Sequence, residues 1–120
     1  MWNEIVIFLP AGSGLRQLEQ AINSHAWTAV SQGGKHLQMS EGPIEVYTNS
    51  DLWSSYSEDE RKTVNELIEN AHPVAIFYFN RQAVRNFLHM LPENIEAYVD
   101  KEDPGILKLV PLAQFIASEE

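Results

Sequence analysis

Residues 5–9 read Ile-Val-Ile-Phe-Leu, a continuous apolar run, and residues 10–14 after it read Pro-Ala-Gly-Ser-Gly. An unbroken run of mostly β-branched and aromatic side chains predicts a strand that is covered on both faces. The proline and the glycines predict a tight loop, after which Leu15, Leu18 and Ile22 recur at helical spacing. The chain therefore begins with a strand, a tight loop and a helix.

The stretch from Trp27 to Asn49 favours β structure. Gly33-Gly34 separates two segments of this stretch and suits a hairpin turn, because both glycines tolerate positive φ. Residues 44–48 alternate apolar with polar side chains, as a half-buried strand does. The pattern leaves open whether this stretch forms two strands or three.

A second helix begins at a capping box in residues 57–60, where Ser57 and Glu60 can each accept a hydrogen bond from the backbone of the other. Its predicted apolar stripe consists of Val64, Leu67, Ile68 and Ala71. His72-Pro73 is expected to end the helix, because a residue before proline resists helical geometry.

A second apolar run, residues 74–79, predicts another central strand, and Asn80 can cap a third helix after it. The apolar face of that helix carries Val84, Phe87, Leu88 and Leu91. Residues 95–100 and 106–110 predict two strands, and Pro111 can open a short closing helix.

This order of elements predicts an α+β fold in a single domain that covers residues 1–120. Its first part matches a ferredoxin-like, or split βαβ, layout, with helices on one face of a mainly antiparallel sheet. The last two strands form a C-terminal hairpin that extends or caps the sheet.

Charge dominates the composition: 17 acidic side chains stand against 8 basic ones, for a net charge of −9, while 44% of the residues are apolar. Few and scattered basic residues disfavour nucleic acids and anionic membranes as partners, and they leave a cationic protein or a metal ion open. The chain has no cysteine, which excludes disulfides, thiol catalysis and Cys-ligated zinc. It has neither a signal-peptide pattern nor an apolar run long enough to span a membrane, so we expect a soluble, cytoplasmic protein.

No motif predicts catalysis or a bound metal. The four histidines, His25, His36, His72 and His89, do not show metal-ligand spacing. The loop Gly12-Ser13-Gly14 matches neither a dinucleotide-binding nor a P-loop pattern, and its simplest interpretation is a turn with Ser13 as helix cap. We therefore expect a protein that is not an enzyme and that binds no cofactor or metal.

Acidic residues cluster in and before the second helix, beside two aromatic side chains. This pattern favours a docking surface for a basic protein, although solubility and helix capping explain single clusters equally well. Trp53 can serve either as a contact anchor or as a core residue. The predicted partner-binding residues are Asp51, Trp53, Tyr56, Glu58, Asp59, Glu66 and Glu69. Further acidic residues are Asp100, Glu102, Asp103, Glu119 and Glu120.

The C-terminal third carries a family likeness in Tyr98-Val99-Asp100-Lys101-Glu102-Asp103-Pro104-Gly105-Ile106-Leu107 and Pro111-Leu112-Ala113-Gln114-Phe115-Ile116. This sequence of a strand, an acidic turn with glycine, a strand and a Pro-Leu…Phe-Ile ending resembles that of small bacterial immunity proteins. Those proteins neutralise the toxins of contact-dependent, type VI or Rhs polymorphic systems. The resemblance implies a cognate toxin partner and no enzymatic activity, and it transfers no functional residues.

The leading hypothesis is thus an acidic protein-binding module of the immunity type. One alternative is a small-molecule-binding regulatory domain or minor enzyme that binds an anion at Gly12-Ser13-Gly14. Another is a structural or oligomerising subunit. The identity of the toxin and the oligomeric state do not follow from the sequence.

Overall fold

The computed structural model of the chain describes residues 2–48, 50–92, 94–100 and 109–117. Within these residues the chain forms a seven-stranded sheet and four α-helices, which confirms the α+β class. The strands are β1 (Asn3–Pro10), β2 (Trp27–Ala29), β3 (Lys35–Met39), β4 (Gly42–Tyr47), β5 (Ala71–Tyr78), β6 (Tyr98–Asp100) and β7 (Leu109–Pro111). The helices are α1 (Ser13–Asn23), α2 (Glu58–Leu67), α3 (Arg81–Leu88) and α4 (Leu112–Ala117), with 3-10 segments at Ser31–Gly33 and Ser50–Ser55.

The strand order in the sheet is β2-β3-β4-β5-β1-β6-β7, and the described strand pairs are antiparallel. Consequently β5 lies between the parallel strands β1 and β4, and β1 lies between the parallel strands β5 and β6. This interleaving is the expected ferredoxin-like core. The β2–β3 pair extends one edge, and β7 pairs with β6 at the other.

The side chains of β1 point alternately to the two faces of the sheet, and residues 5–9 are buried on both. We call the face that carries Ile7 the first face; it packs against α1, α3 and α4 in the larger apolar cluster. The opposite, second face carries Val6 and Phe8, which pack with Val64 of α2 and with Ile68 directly after it.

The expectation that the helices lie on one face is correct for α1, α3 and α4 and needs correction for α2, which lies on the second face. A central strand that is apolar on both sides leaves its second side exposed to water unless another element covers it. The α2 helix and the 3-10 segment before it provide this cover over β1, with Tyr98 of β6 and Leu109 of β7 at the margin.

The expected capping box is present at the start of α2. The amide of Glu60 donates to Oγ of Ser57 at 3.2 Å, and the amide of Ser57 donates to Oε1 of Glu60 at 2.9 Å. Asn80 likewise caps α3, accepting at Oδ1 a hydrogen bond of 2.8 Å from the amide of Gln82. Both helix starts therefore follow directly from the local sequence.

The end of α2 differs from the prediction. The helix ends at Leu67, which is 41% exposed and not part of a buried stripe. Asn70 then adopts φ = 56°, and β5 starts at Ala71, so that His72-Pro73 lies in the strand. Among the described residues β4 pairs with β5 only from Ala75 onwards, so β5 has an edge at Pro73 where a missing amide hydrogen is tolerated.

The stretch from Trp27 onwards forms three strands, β2, β3 and β4. A hairpin joins β2 to β3 as expected, but its positive φ angles are 64° at Gln32 and 80° at Gly33, while Gly34 is extended. The strand predicted over residues 95–100 begins only at Tyr98, and residues 106–108 of the predicted last strand lie outside the described residues. The closing helix begins directly after Pro111.

Candidate functional site

The second face of the sheet carries polar and aromatic side chains over β3, β4 and one end of β5, beyond the part that α2 covers. The register places His36 of β3 opposite Glu45 of β4, and Glu45 opposite Phe77 of β5. Alternation along β4 and β1 brings Tyr47 and Glu4 to the same face. All of these side chains are partly exposed. We call this group the open face: Glu4, His36, Glu45, Tyr47 and Phe77.

Glu45 links the side chains of the open face. Its Oε1 accepts a hydrogen bond of 3.0 Å from the hydroxyl of Tyr47, and its Oε2 lies 3.3 Å from Nδ1 of His36. The ring of Phe77 meets the ring of Tyr47 edge to face, with centroids 5.5 Å apart. Burial raises the pKa of the Tyr47 hydroxyl, and the hydrogen bond and charge of Glu45 raise it further. Tyr47 therefore stays a neutral donor that holds Glu45 in place.

The ring of Tyr47 rests on the backbone of Gly34. A Cβ atom at position 34 would lie 2.6 Å from Cζ of Tyr47 and 2.7 Å from Cγ2 of Val30. Only glycine leaves room for the ring at this point, so the close approach, not a positive φ, explains the residue. The ring of Tyr47 is thus held in place by its packing on Gly34 and by the hydrogen bond of its hydroxyl to Glu45.

A cavity of about 310 Å³ lies between the open face and the 3-10 segment Ser50–Ser55. Its lining residues are Glu4, Gln32, Tyr47, Asp51, Leu52, Ser55, Ala75 and Phe77. Acidic residues of β1 and of the 3-10 segment and aromatic residues of β4 and β5 therefore line one cavity. None of the described residues that line it is Lys or Arg.

Two further aromatic side chains lie at the end of the β1–β5 pair. Asn3 and Tyr78 form the last registered pair. Trp2 directly precedes Asn3, Phe79 directly follows Tyr78, and the rings of Trp2 and Phe79 stack with centroids 4.2 Å apart. Trp2 is 38% exposed and Phe79 is 46% exposed. The stacked pair therefore forms an exposed aromatic surface at this end of the sheet.

The structure places the predicted partner-contact residues partly on the surface and partly in the interior. Asp51 is exposed and lines the cavity. Trp53 is half-buried, with its ring 5.5 Å from that of Phe8, so the core interpretation of this residue is the one that the structure favours. Tyr56 is buried, and its hydroxyl donates to Oδ2 of Asp100 at 2.8 Å. This placement gives Tyr56 a role in the interior and argues against direct contact with a partner.

The four acidic residues predicted on α2 are all exposed. Glu58 and Asp59 lie in its first turn, where negative charge also suits the helix dipole. Glu66 lies in its last turn, about 12 Å from Glu58 along the helix axis, and Glu69 follows the end of the helix. The further acidic residues Glu102, Asp103, Glu119 and Glu120 lie outside the described residues, and Asp100 is buried.

The glycine-rich loop has a packing function. A Cβ atom on Gly14 would lie 2.7 Å from Cδ of Pro10, so glycine lets α1 approach β1 closely. The N-cap residue of α1 is Gly12 and not the predicted Ser13, so this helix start has no side-chain cap. A depression next to Ser13 is lined by Glu66, Glu69 and Glu96, whose charges disfavour an anion.

Three of the four histidines, His25, His36 and His72, have a polar contact with another described residue. His72 contacts the carbonyl oxygen of Thr48 at 2.6 Å through Nε2, and Nδ1 of His25 lies 3.2 Å from Oγ of Ser24. Within the described ranges no group of three or more His, Asp or Glu side chains is arranged to hold a metal ion. No helix in those ranges is both long enough and apolar enough to cross a bilayer.

Comparison of the chain with models of protein families, with curated proteins and with solved structures finds no match. The geometry of the site therefore has to carry the functional argument. Sequence reasoning missed most of the open face, although the alternation in residues 44–48 already indicated that Glu45 and Tyr47 share the polar side of a strand.

Proposed function

We propose that this protein is an acidic binding module for a basic protein, and that its partner is a bacterial toxin domain that it neutralises. The observation that carries the proposal is the cavity on the second face, whose described lining brings the acidic residues Glu4 and Asp51 together with the aromatic residues Tyr47 and Phe77. Aromatic side chains beside carboxylates form a surface on which a basic side chain gains both packing and charge pairing.

Net charge supports the same conclusion. At −9 the chain attracts cationic partners over several ångströms and repels nucleic acid and anionic membranes. We assign the exposed acidic residues of α2 to this long-range attraction, and the open face with its cavity to the contact itself. Charges at the margin of an interface mainly raise the association rate, whereas buried aromatic contacts slow dissociation.

The immunity assignment is tested by gene order and by survival. We expect the gene directly upstream to encode a large protein with a toxic C-terminal domain, and we expect co-expression of this chain to restore growth to cells that produce that domain. The variant Asp51→Lys should lose protection, whereas Glu19→Lys on α1 should retain it, because α1 packs on the opposite face of the sheet. An upstream gene of another kind, or a toxin that still kills in the presence of the chain, would contradict the assignment.

The steering role of α2 has a separate test. Replacing Glu58, Asp59, Glu66 and Glu69 with their neutral amides should lower the association rate at low salt and flatten its dependence on salt, with little change in the dissociation rate. An unchanged rate and salt dependence would remove the α2 surface from the proposal.

An anion site at the glycine-rich loop predicts a different result. Phosphates or nucleotides would then raise the melting temperature of the protein, and a bulky residue at Gly12 would abolish the effect. We expect no such stabilisation, because carboxylates surround the depression beside Ser13.

A further inference from the structure

We infer that a second cavity, between α3 and α4, is a binding site for a small uncharged aliphatic molecule. This cavity has a volume of about 490 Å³ and lies between the C-terminal end of α3, the segment that follows it, and α4. We call it the apolar cavity. The inference is independent of the proposed function, because α3 and α4 pack on the first face of the sheet, opposite the open face.

Aliphatic side chains form the floor and walls of the apolar cavity. Leu88, Leu91 and Leu112 line it, and each is at most 5% exposed and belongs to the larger apolar cluster. Ile95 and Ile116 also line it and pack against the same cluster while staying partly exposed. The cavity therefore opens directly onto the core, and water inside it finds few groups to hydrogen-bond.

Small residues on α4 keep the apolar cavity open. Ala113 and Ala117 lie four residues apart, and so on the same side of the helix, and both are exposed. Pro92 borders the cavity as well and has no amide hydrogen to offer. The margin of the cavity is thus as apolar as its floor, and only methyl groups narrow it from the side of α4.

The charge of the lining selects an uncharged occupant. None of the described lining residues is Asp, Glu, Lys or Arg, although the chain has 17 acidic and 8 basic side chains. A charged group that entered the cavity would lose its hydration without gaining an opposite charge from this lining. The basic partner of the proposed function therefore has no reason to contact the cavity.

His89 supplies the one polar side chain of the described lining. It is the exposed C-cap residue of α3, and its ring makes no hydrogen bond or ion pair with another described residue. A neutral imidazole has one donor and one acceptor nitrogen, so it can pair with a hydroxyl group in either direction. An apolar lining with a single polar group is typical of small-molecule sites, and it suits an aliphatic alcohol with its chain on the leucines and its hydroxyl at His89.

The size of the apolar cavity suits a small molecule. Its volume of about 490 Å³ lies within the roughly 300–1,000 Å³ of known ligand sites. At roughly 30 Å³ for each heavy atom, the share that a water molecule takes in the liquid, the cavity holds at most about 16 heavy atoms. Alcohols of about six to nine carbons stay below this limit and leave room for water at the open side.

The inference can be tested on the full chain with the alcohols from hexan-1-ol to nonan-1-ol as probes. Amide NMR signals follow their binding residue by residue, and we expect saturable changes at Leu91, Ile95, Ala113 and Ile116 but not on the open face. Each added methylene group should lower the dissociation constant about fourfold. Octanoate and octylammonium, which carry a charge on a chain of the same length, should bind about fivefold more weakly or less well still.

Three variants locate the site. Ala113→Phe places a ring in the cavity and should weaken binding of octan-1-ol about tenfold or more. Gln114→Phe is the matched control, since Gln114 is exposed on the same helix and does not line the cavity, and it should change the affinity less than about twofold. His89→Ala should weaken every alcohol by a similar factor of about five and leave the fourfold step unchanged, because His89 contacts only the hydroxyl.

Several results would overturn the inference. These are the absence of saturable binding, signal changes spread over the whole surface, equal effects of the two phenylalanine variants, and charged analogues that bind as tightly as octan-1-ol. Competition between octan-1-ol and the proposed basic partner would overturn it too, since a partner side chain would then occupy the cavity. A failure to neutralise a toxin has no bearing on the apolar cavity, and a failure to bind alcohols leaves the immunity function standing.

Discussion

Replacing Tyr56 with phenylalanine removes one oxygen atom from the interior of the second face. The Tyr56 side chain is 9% exposed, and its hydroxyl donates to Oδ2 of Asp100 at 2.8 Å. Asp100 is itself only 5% exposed, so water cannot readily replace the lost donor. A hydrogen bond to a charged group contributes about 1.5–3 kcal/mol, and we expect Tyr56→Phe to lower the free energy of unfolding by about 2 kcal/mol.

Urea unfolding followed by tryptophan fluorescence measures this loss, because the ring of Trp53 lies 6.1 Å from that of Tyr56 and reports on the same cluster. For a small protein the free energy of unfolding falls by about 1–3 kcal/mol per molar urea, so the midpoint should drop by about 1 M. Tyr78→Phe is the matched control. Tyr78 is 8% exposed, and its hydroxyl makes no hydrogen bond with another described residue.

A loss below about 0.5 kcal/mol, or one no larger than that of Tyr78→Phe, would refute the role assigned to Tyr56. A double-mutant cycle with Asp100→Asn tests the contact itself, and we expect a coupling energy of about 1 kcal/mol or more. Folded Tyr56→Phe should also bind the partner like the unaltered protein, since the side chain is buried. If a fully folded Tyr56→Phe variant bound the partner more weakly, Tyr56 would have to be counted among the contact residues again.

Gly34→Ala should lower the free energy of unfolding by about 1–3 kcal/mol and shift the NMR signals of Tyr47, because the added methyl group meets the ring. Gly12→Ala is the control: a Cβ atom there has nothing within 4 Å, so the loss should be less than about 1 kcal/mol. Ser57→Ala should lower the urea midpoint by the equivalent of about 1 kcal/mol through loss of the helix cap, and an unchanged midpoint would contradict the capping role. Tyr47 should titrate above its ordinary pKa of about 10, so its contribution to stability is complete below that pH and is lost as the pH rises further. Glu45→Gln should bring the pKa of Tyr47 back toward the ordinary value, which an NMR titration of the tyrosine rings measures.

Local sequence predicted the central elements well. The two apolar runs became β1 and β5, which pair along residues 3–10 and 71–78 in the middle of the sheet. The capping residues Ser57 and Asn80 start α2 and α3 as expected. These features depend on neighbours in the chain, so the sequence suffices to predict them.

Features that depend on distant residues were harder to predict. The position of α2 on the second face follows from the need to cover Val6 and Phe8, which becomes apparent only when the strand order is known. The same holds for Tyr56, whose partner Asp100 lies 44 residues away. An aromatic side chain among acidic and small residues looks like a surface anchor until the fold places it against the sheet.

The open face shows the same limit. Its members come from β1, β3, β4 and β5, and no local motif joins Glu4 to Tyr47 or His36 to Phe77. The excess of carboxylates predicts a positively charged partner, but it does not show which surface would contact such a partner. Of the residues predicted as contacts, Asp51 alone lines the cavity, because the 3-10 segment carries it over the open end of the sheet.

The most direct test compares the dissociation constants of the proposed toxin partner for the variants Asp51→Lys and Glu19→Lys. Both residues are exposed, and both substitutions change the net charge by the same amount, but Asp51 lines the cavity while Glu19 lies on α1 across the sheet. A cationic group seated beside Tyr47 and Phe77 requires at least a hundredfold weaker binding for Asp51→Lys, on the order of 3 kcal/mol, and nearly unchanged binding for Glu19→Lys. Equal losses for the two variants would mean that overall charge, and not the open face, holds the partner.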